Sequence, residues 1–592
     1  MPKSTESTKV YHGRIAPVVG RISGSELIAQ SLVKHGIDHF FNIAGLGIFP
    51  LVNAIHAHRD KIRYISGLNE TSVALIAEGY ARATRKPAFV NVYHSSGTAL
   101  SMVAVTIAWA DHSPLIITST TSSRKLSRRD QYAAVPRNIT EMSNQYVKWN
   151  WEIPLAEKIP EAIERAISIA STPPMGPVHL AFPMDVYNEL VDEEAIDNRH
   201  GISRRFDKFI AEEEGIQEAA KLLIKSQKPL ICAGSEIGQY HASDEVAVLA
   251  ELLRAPIVSE GGHANFLPCP ANHPFYLGQL NDILDIAHEA DTILVLGFEF
   301  TEAERAGIGR FPFRNTNQDI IQITPDSADI VKQIVPNIGL IGHPVPTLKR
   351  LIEILKPKIN NQGGKKRKWA DGWIRKSNKE SLENLSTSRL DPSKPELLEE
   401  FICNMKRIYG EKLIMVDQAN SGRVYLNIKD LKNADQYYAL SQKASMQGWG
   451  VPAAIGIQLA NPDRRVAVIV GDGGFMFTVQ ALYTAARYNI PVTVIVLNNQ
   501  GWGGGGWNPR IQDGMEGDLF VGGFQKKPIN IANIANDLSV PSTRLNNNNQ
   551  IKNAIEQLSN LKGPYLVEVV INPELLSKER NNKAIGAGGM SR

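Results

Sequence analysis

Two apolar runs without polar alternation, "RVAVIV" (Arg465–Val470) and "PVTVIVL" (Pro491–Leu497), lie one helix apart in this chain. Unbroken runs of this kind suit strands of a parallel sheet covered on both faces. The stretch between them reads as a helix over about Val479–Tyr488, so the three pieces form a β-α-β unit. Strands joined this way point in the same direction. The turns that leave their carboxyl ends therefore meet at one sheet edge, where open α/β folds place their ligands. The first strand runs into "GDGG", the second into "NNQG". Asp472 and Asn499 thus offer a carboxylate and an amide oxygen, a hard, oxygen-only set that suits magnesium better than zinc. Gly471, Gly473 and Gly474 let backbone approach a phosphate with no side chain in the way. A plain strand turn and an Asx turn would use the same letters; the strand context and the doubled asparagine favour the site.

The same alternation runs through most of the chain. At 592 residues it is too long for one core, and composition separates three segments. Residues 20–195 alternate strands such as "HFFNIAG", "AFVNVYH", "PLIITST" and "PVHLAF" with helices; residues 205–355 do so with "PLICAG", "APIVSE", "TILVLG" and "IIQI". Residues 356–395 form a basic connector with some helix, 396–575 hold the opening unit, and 576–592 read as a mobile tail. The expected fold is three doubly wound, parallel-sheet α/β domains. Lys plus Arg total 64 against 61 for Asp plus Glu, a balance that argues against a nucleic-acid partner. No apolar run is long enough to span a membrane and the start lacks a secretory core, so the expected compartment is the cytoplasm. Cys232, Cys269 and Cys403 lack metal-ligand spacing and read as buried packing in a reducing compartment.

Further motifs stand at matching places. "GLNETSVALIAEGYARAT" puts Glu70 where a strand gives way to a helix, a position for a cap or for chemistry. "ASMQGWGVPAAIGIQLANPDRRVAVIVGDGG" leads into the acidic turn, and "NVYHSSGTALSM" and "FNIAGLGIFP" stand at strand ends of the first segment. Together these motifs resemble the thiamine-diphosphate-dependent enzymes, most of all benzoylformate decarboxylase and the acetolactate synthase large subunit. The likeness covers nearly the full length.

The resemblance implies a pyrimidine-binding, a central and a diphosphate-binding domain, in that order. It implies thiamine diphosphate and Mg²⁺, with Asp472, Asn499 and the carbonyl of Gly501 as metal ligands and Glu70 on N1′ of the aminopyrimidine. Glu78, eight residues on, is expected to be structural. Before the glycine pair that begins at Gly448, the family places a bulky apolar prop for the bent cofactor; here that position is Gln447, with Met446 beside it. The expected pocket comprises Gly45, Leu46, Tyr93, Gln447 and Trp502. Leu46 replaces a substrate-binding serine, and Tyr93 stands where the decarboxylase has a histidine; His94, one later, is expected in that loop with a proton-transfer role. "GWGGGGW" reads as a hinged flap. The implied activity breaks or makes a carbon–carbon bond beside the carbonyl of a 2-oxo acid or ketone, as a decarboxylase or carboligase. The alternatives are an oxidase with FAD in the central domain, or a non-catalytic assembly partner. A homodimer or homotetramer is expected, because in the family the two halves of each site come from different chains.

Overall fold

Three six-stranded sheets, each wholly parallel, carry the chain. The structure, a computed structural model, describes residues 19–45, 47–126, 136–196, 200, 208–260, 266–280, 283–298, 317–332, 334–361, 368–375, 395–418, 431–441, 444, 446–501, 523–524, 527–545, 548–560 and 562–570. The first sheet runs Arg63–Ser66, His39–Asn42, Ala88–Tyr93, Leu115–Thr121, Val178–Pro183, Trp149–Glu152. The second runs Tyr276–Gln279, Ile257–Ser259, Pro229–Ala233, Thr292–Leu296, Asp319–Thr324, Ile338–Ile341. The third runs Tyr437–Ala439, Leu413–Asp417, Arg465–Gly471, Thr493–Asn498, Tyr565–Val570, Ser542–Leu545.

Numbered by appearance within each sheet, the first and third share the order 2-1-3-4-6-5, and the second has 3-2-1-4-5-6. The latter is the order of dinucleotide-binding folds. In the first and third, connections diverge between strands 1 and 3, which opens a crevice at their carboxyl ends. An antiparallel pair, Arg21–Ser23 with Leu190–Asp192, ties together the two ends of the first segment. By internal contact the described residues fall into two units. One holds the chain up to 206 with Ile455–Ala460 and Gln480–Tyr488; the other holds the rest.

The apolar runs form strands as expected, with Leu115–Thr121 buried at every position. Several buried positions there are polar, and hydrogen bonds satisfy them. Thr118 donates to Asn91 (2.9 Å), Asn91 to Asn42 (2.8 Å) and Asn42 to the Tyr64 hydroxyl (2.7 Å). This row crosses four neighbouring strands, and it fixes their register because a slip would strand each polar group.

One expectation, the burial of Cys403, changes, and two gain detail. The helix expected over about Val479–Tyr488 is present as Ala481–Arg487, and a separate short helix, Asp472–Phe477, begins directly at the acidic turn. Cys403 is exposed on the helix Pro395–Tyr409, unlike the buried Cys232 and Cys269. Some helix is expected in the connector, and its start is the end of the helix Pro344–Asn361. Residues 376–394 of the connector and the tail 576–592 lie outside the described residues. Among the described residues no helix is long and apolar enough to cross a membrane.

Glu78 is structural, as expected. It is wholly buried on the helix Glu70–Thr84, accepting from Ser113 (2.7 Å) and pairing with Arg82 (2.7 Å), which also holds the buried Asp111 (2.8 Å). Removing the shared guanidinium leaves two carboxylates in a dry site. Arg82→Met is expected to destabilise the fold by about 3–5 kcal/mol, read as a lower urea midpoint. An unchanged midpoint would contradict this account of Glu78.

Candidate functional site

At the crevice of the third sheet, strand Leu413–Asp417 delivers Gln418 and strand Arg465–Gly471 delivers the acidic turn. Asp472 is the first residue of its short helix and is only 2% exposed. Its Oδ1 accepts from the N–H of Gly473 (2.8 Å) and its Oδ2 from the N–H of Gly501 (2.9 Å). The register sets Gly471 opposite Leu497 on the neighbouring strand, so the turn and the asparagine loop meet as the spacing requires. Burial pushes the Asp472 carboxyl up to about 6, although backbone N–H groups of Gly473, Gly501 and Gln500 oppose the shift.

The doubled asparagine divides its work. Asn498 shapes the loop: its Oδ1 accepts from the N–H of Gln500 (3.0 Å), which adopts a left-handed φ of 58°. Asn499 has a buried Oδ1 with no hydrogen-bond partner. An orphaned amide oxygen in the loop that fastens a buried carboxylate is costly without a ligand. Among the described residues no group of three or more His, Cys, Asp or Glu side chains could hold a metal. The oxygens that this loop and turn offer are those of Asp472 and Asn499 and the carbonyl of Gly501, whose N–H is bound to Asp472. That set fits a magnesium ion that takes its other ligands from phosphate and water.

Gln418, a residue that sequence reasoning missed, braces the facing turn. Its Oε1 accepts from the N–H of Gly450 (2.6 Å) and its Nε2 donates to the carbonyl of Met446 (3.1 Å). Its place directly after a strand at a divergence point was the available signal. Gly448 takes a φ of 88°, and its carbonyl accepts from Thr478 (2.7 Å). Gln447 lies with its amide oxygen against Gly474. Met446 is 37% exposed.

The first sheet gathers the other candidates at its own crevice. Asn69 caps the helix Glu70–Thr84 by accepting from the N–H of Ser72 (2.7 Å), so Glu70 is not needed as the cap. The Glu70 side chain lies on Gly97, where a Cβ would stand 3.0 Å from its Oε1. Tyr93 packs over Gly45, and the thioether of Met184, another residue missed, lies against Gly47.

His94 is not in a loop: it opens the helix His94–Ala110 in a left-handed conformation, with φ 61°. A non-glycine residue held there is strained and needs its surroundings to fix it. His94 is 3% exposed, its Nε2 lies 3.2 Å from the Ser122 hydroxyl, and its buried Nδ1 has no partner. Leu46, Trp502 and the glycine-rich flap lie outside the described residues. The crevice of the central sheet holds the buried carboxyl groups of Glu236 and Glu260, which lends no support to FAD there.

Burial holds the His94 imidazole below its usual range. The unfolded chain therefore takes up this proton first, and the contribution of His94 to stability is lost as pH falls through its folded pKa. Its ring resonances in a pH titration should move only below about pH 6.5, the ordinary imidazole value. A midpoint at or above that value would contradict the burial account.

Comparison with known proteins gives three matching family profiles. Residues 22–142 match the N-terminal TPP binding domain of thiamine pyrophosphate enzymes, residues 216–351 their central domain, and residues 420–569 their C-terminal TPP binding domain. An acetolactate synthase large subunit from Haemophilus influenzae is 26% identical over 493 residues, covering 81% of this chain and 82% of that protein. A benzoylformate decarboxylase from Pseudomonas aeruginosa is 25% identical over 552 residues, covering 91% and 97%. The solved structure of a thiamine diphosphate-dependent 4-hydroxybenzoylformate decarboxylase from Rhodococcus jostii RHA1 superposes with a TM-score of 0.75 at 22% identity, covering 93% and 99%.

Proposed function

Because the chain belongs to the thiamine pyrophosphate enzyme family, we propose that it is a magnesium- and thiamine-diphosphate-dependent enzyme that breaks or forms the carbon–carbon bond beside the carbonyl of a 2-oxo acid or related ketone. The observation that carries the reading is the buried Asn499 Oδ1, which lacks a partner in the same loop that binds Asp472. When bound, thiamine diphosphate would supply a nucleophilic carbon and a sink for the electrons of the bond that breaks.

The chain's own residues do the rest. Asp472, Asn499 and the Gly501 carbonyl would hold the metal, and the Gly471, Gly473 and Gly474 backbone would leave room for the diphosphate. Glu70 shares a proton with the aminopyrimidine, and its freedom from capping supports that role. Gln447, with Met446 beside it, supports the cofactor next to Gly448. His94 moves a proton at the substrate: burial keeps it neutral, so it can accept one, and its Nδ1 has no competing partner. Tyr93, packed over Gly45 at the end of its strand, would present an apolar face to the substrate. Named relatives that include both a carboligase and a decarboxylase support either fate for the product.

A panel of 2-oxo acids, assayed for carbon dioxide and for coupled products, tests the reading. Turnover should require both magnesium and thiamine diphosphate, and Asp472→Ala should abolish it together with cofactor binding in calorimetry. Turnover without the cofactor, or normal cofactor binding by that variant, would contradict it.

The assembly read from the family is a homodimer or homotetramer in which each site combines Glu70 of one copy with Asp472 of another. Glu70→Ala and Asp472→Ala should each be inactive alone. Refolded together, about half of the dimers are mixed, each with one intact site, so about a quarter of wild-type activity should return. Mixed dimers that are present but inactive would rule out shared sites.

A further inference from the structure

Glu568 lies on the strand Tyr565–Val570 and is wholly buried. The parallel register sets it opposite Val496, two residues before Asn498 and so on the same face of the sheet. Both of its oxygens accept. Oε1 takes a hydrogen bond from Asn498 Nδ2 (2.7 Å), and Oε2 takes one from the N–H of Ala532 (3.0 Å). Arg544, paired with Glu568 on the neighbouring strand, brings its Nε to 3.6 Å of Oε1. Among the described residues, each of these three partners brings a donor or a positive charge to the carboxylate.

That environment decides which way the Asn498 amide points. A carboxylate can only accept, so the amide must turn its NH₂ toward Glu568, where the same nitrogen also reaches the carbonyl of Ile529 (3.3 Å). The amide oxygen is then forced toward the chain, where it accepts from the N–H of Gln500. This bond holds Gln500 in its left-handed conformation and presents the next N–H, that of Gly501, to Asp472. Asn499, between the two, is left with its oxygen free of protein partners. A reversed amide would set oxygen against oxygen at Glu568 and donor against donor at Gln500.

We infer that Glu568 is a positioning residue for the loop Asn498–Gly501, acting through the Asn498 amide to hold the oxygens of Asn499 and Gly501 ready for a metal ion. This rests on the reading of that loop as a magnesium site. Outer partners of metal ligands typically contribute a factor of about 10–100 in metal affinity. Glutamine at this position keeps the size but cannot accept at both ends: it leaves an NH₂ facing either Asn498 or Ala532.

The test is the magnesium dissociation constant in the presence of thiamine diphosphate, by calorimetry on the full-length protein, at a temperature where circular dichroism shows every variant folded. Glu568→Gln should weaken magnesium about 10- to 100-fold, with kcat recovering at saturating metal. The exchanged pair, Asn498→Asp with Glu568→Gln, again sets donor against acceptor at both ends. It should regain part of the affinity, the Ile529 carbonyl then facing an acceptor. Should Glu568→Gln prove too unstable, Asn498→Ala removes the same link from the other side and should also weaken magnesium. A lower melting temperature with unchanged magnesium affinity, in either single variant, would overturn the inference and leave Glu568 a packing residue. If the wild type failed to bind magnesium with thiamine diphosphate, or Asp472→Ala bound it normally, the metal-site reading itself would fall and this inference with it.

Discussion

Two oxygen acceptors, from Asp472 and Asn499, are carried out of water at the ends of adjacent strands and left short of positive charge. Much of the third sheet's crevice can be understood as holding that arrangement in place. The backbone N–H groups of Gly473 and Gly501 fasten the carboxylate without neutralising it, and burial still raises its proton affinity. Gln418 fixes the facing turn through one donor and one acceptor bond. A site built this way is costly when empty, and on the proposed reading a divalent cation would offset both deficits.

The first and third sheets share a strand order, and in each the loops after strands 1 and 3 carry candidate residues: Gly45 and His94 in the first, Gln418 and Asp472 in the third, joined by Glu70 after strand 2 and Asn499 after strand 4. Topology rather than local sequence is the cause, because only there do connections leave in opposite directions and open a crevice. In the first sheet the polar row Tyr64–Asn42–Asn91–Thr118 fixes the register of the strands that deliver Gly45 and His94. The strain at His94 is thus borne by a part of the sheet that cannot slip without breaking buried hydrogen bonds. The central sheet has another order and fills its crevice with carboxyl groups.

What can be read from the sequence is what short-range pattern encodes. Unbroken apolar runs announce parallel strands, and the intervals to Asp472 and Asn499 place both at one edge. Glu70 is legible as a helix start, although the side chain that caps the helix is Asn69, one residue earlier. His94 reads wrongly as a loop residue because nothing local announces a left-handed residue opening a helix. Gln418 and Met184 carry little local signal because their importance comes from neighbours distant in the chain. Glu568 is the extreme case: it lies 70 residues from the amide it orients, and in sequence it is one polar letter in an apolar strand. Cys403 shows the limit of composition, since a lone cysteine on an amphipathic helix can face either side and here faces solvent.

The central claim is that this loop and turn form one metal site, and an experimental structure with magnesium and thiamine diphosphate bound tests it most directly. The account predicts a metal ion about 2.0–2.1 Å from an Asp472 carboxylate oxygen, the Asn499 Oδ1 and the Gly501 carbonyl, in octahedral geometry completed by phosphate and water. A diphosphate bound elsewhere, or a metal ion that leaves the Asn499 oxygen without a ligand, would contradict it.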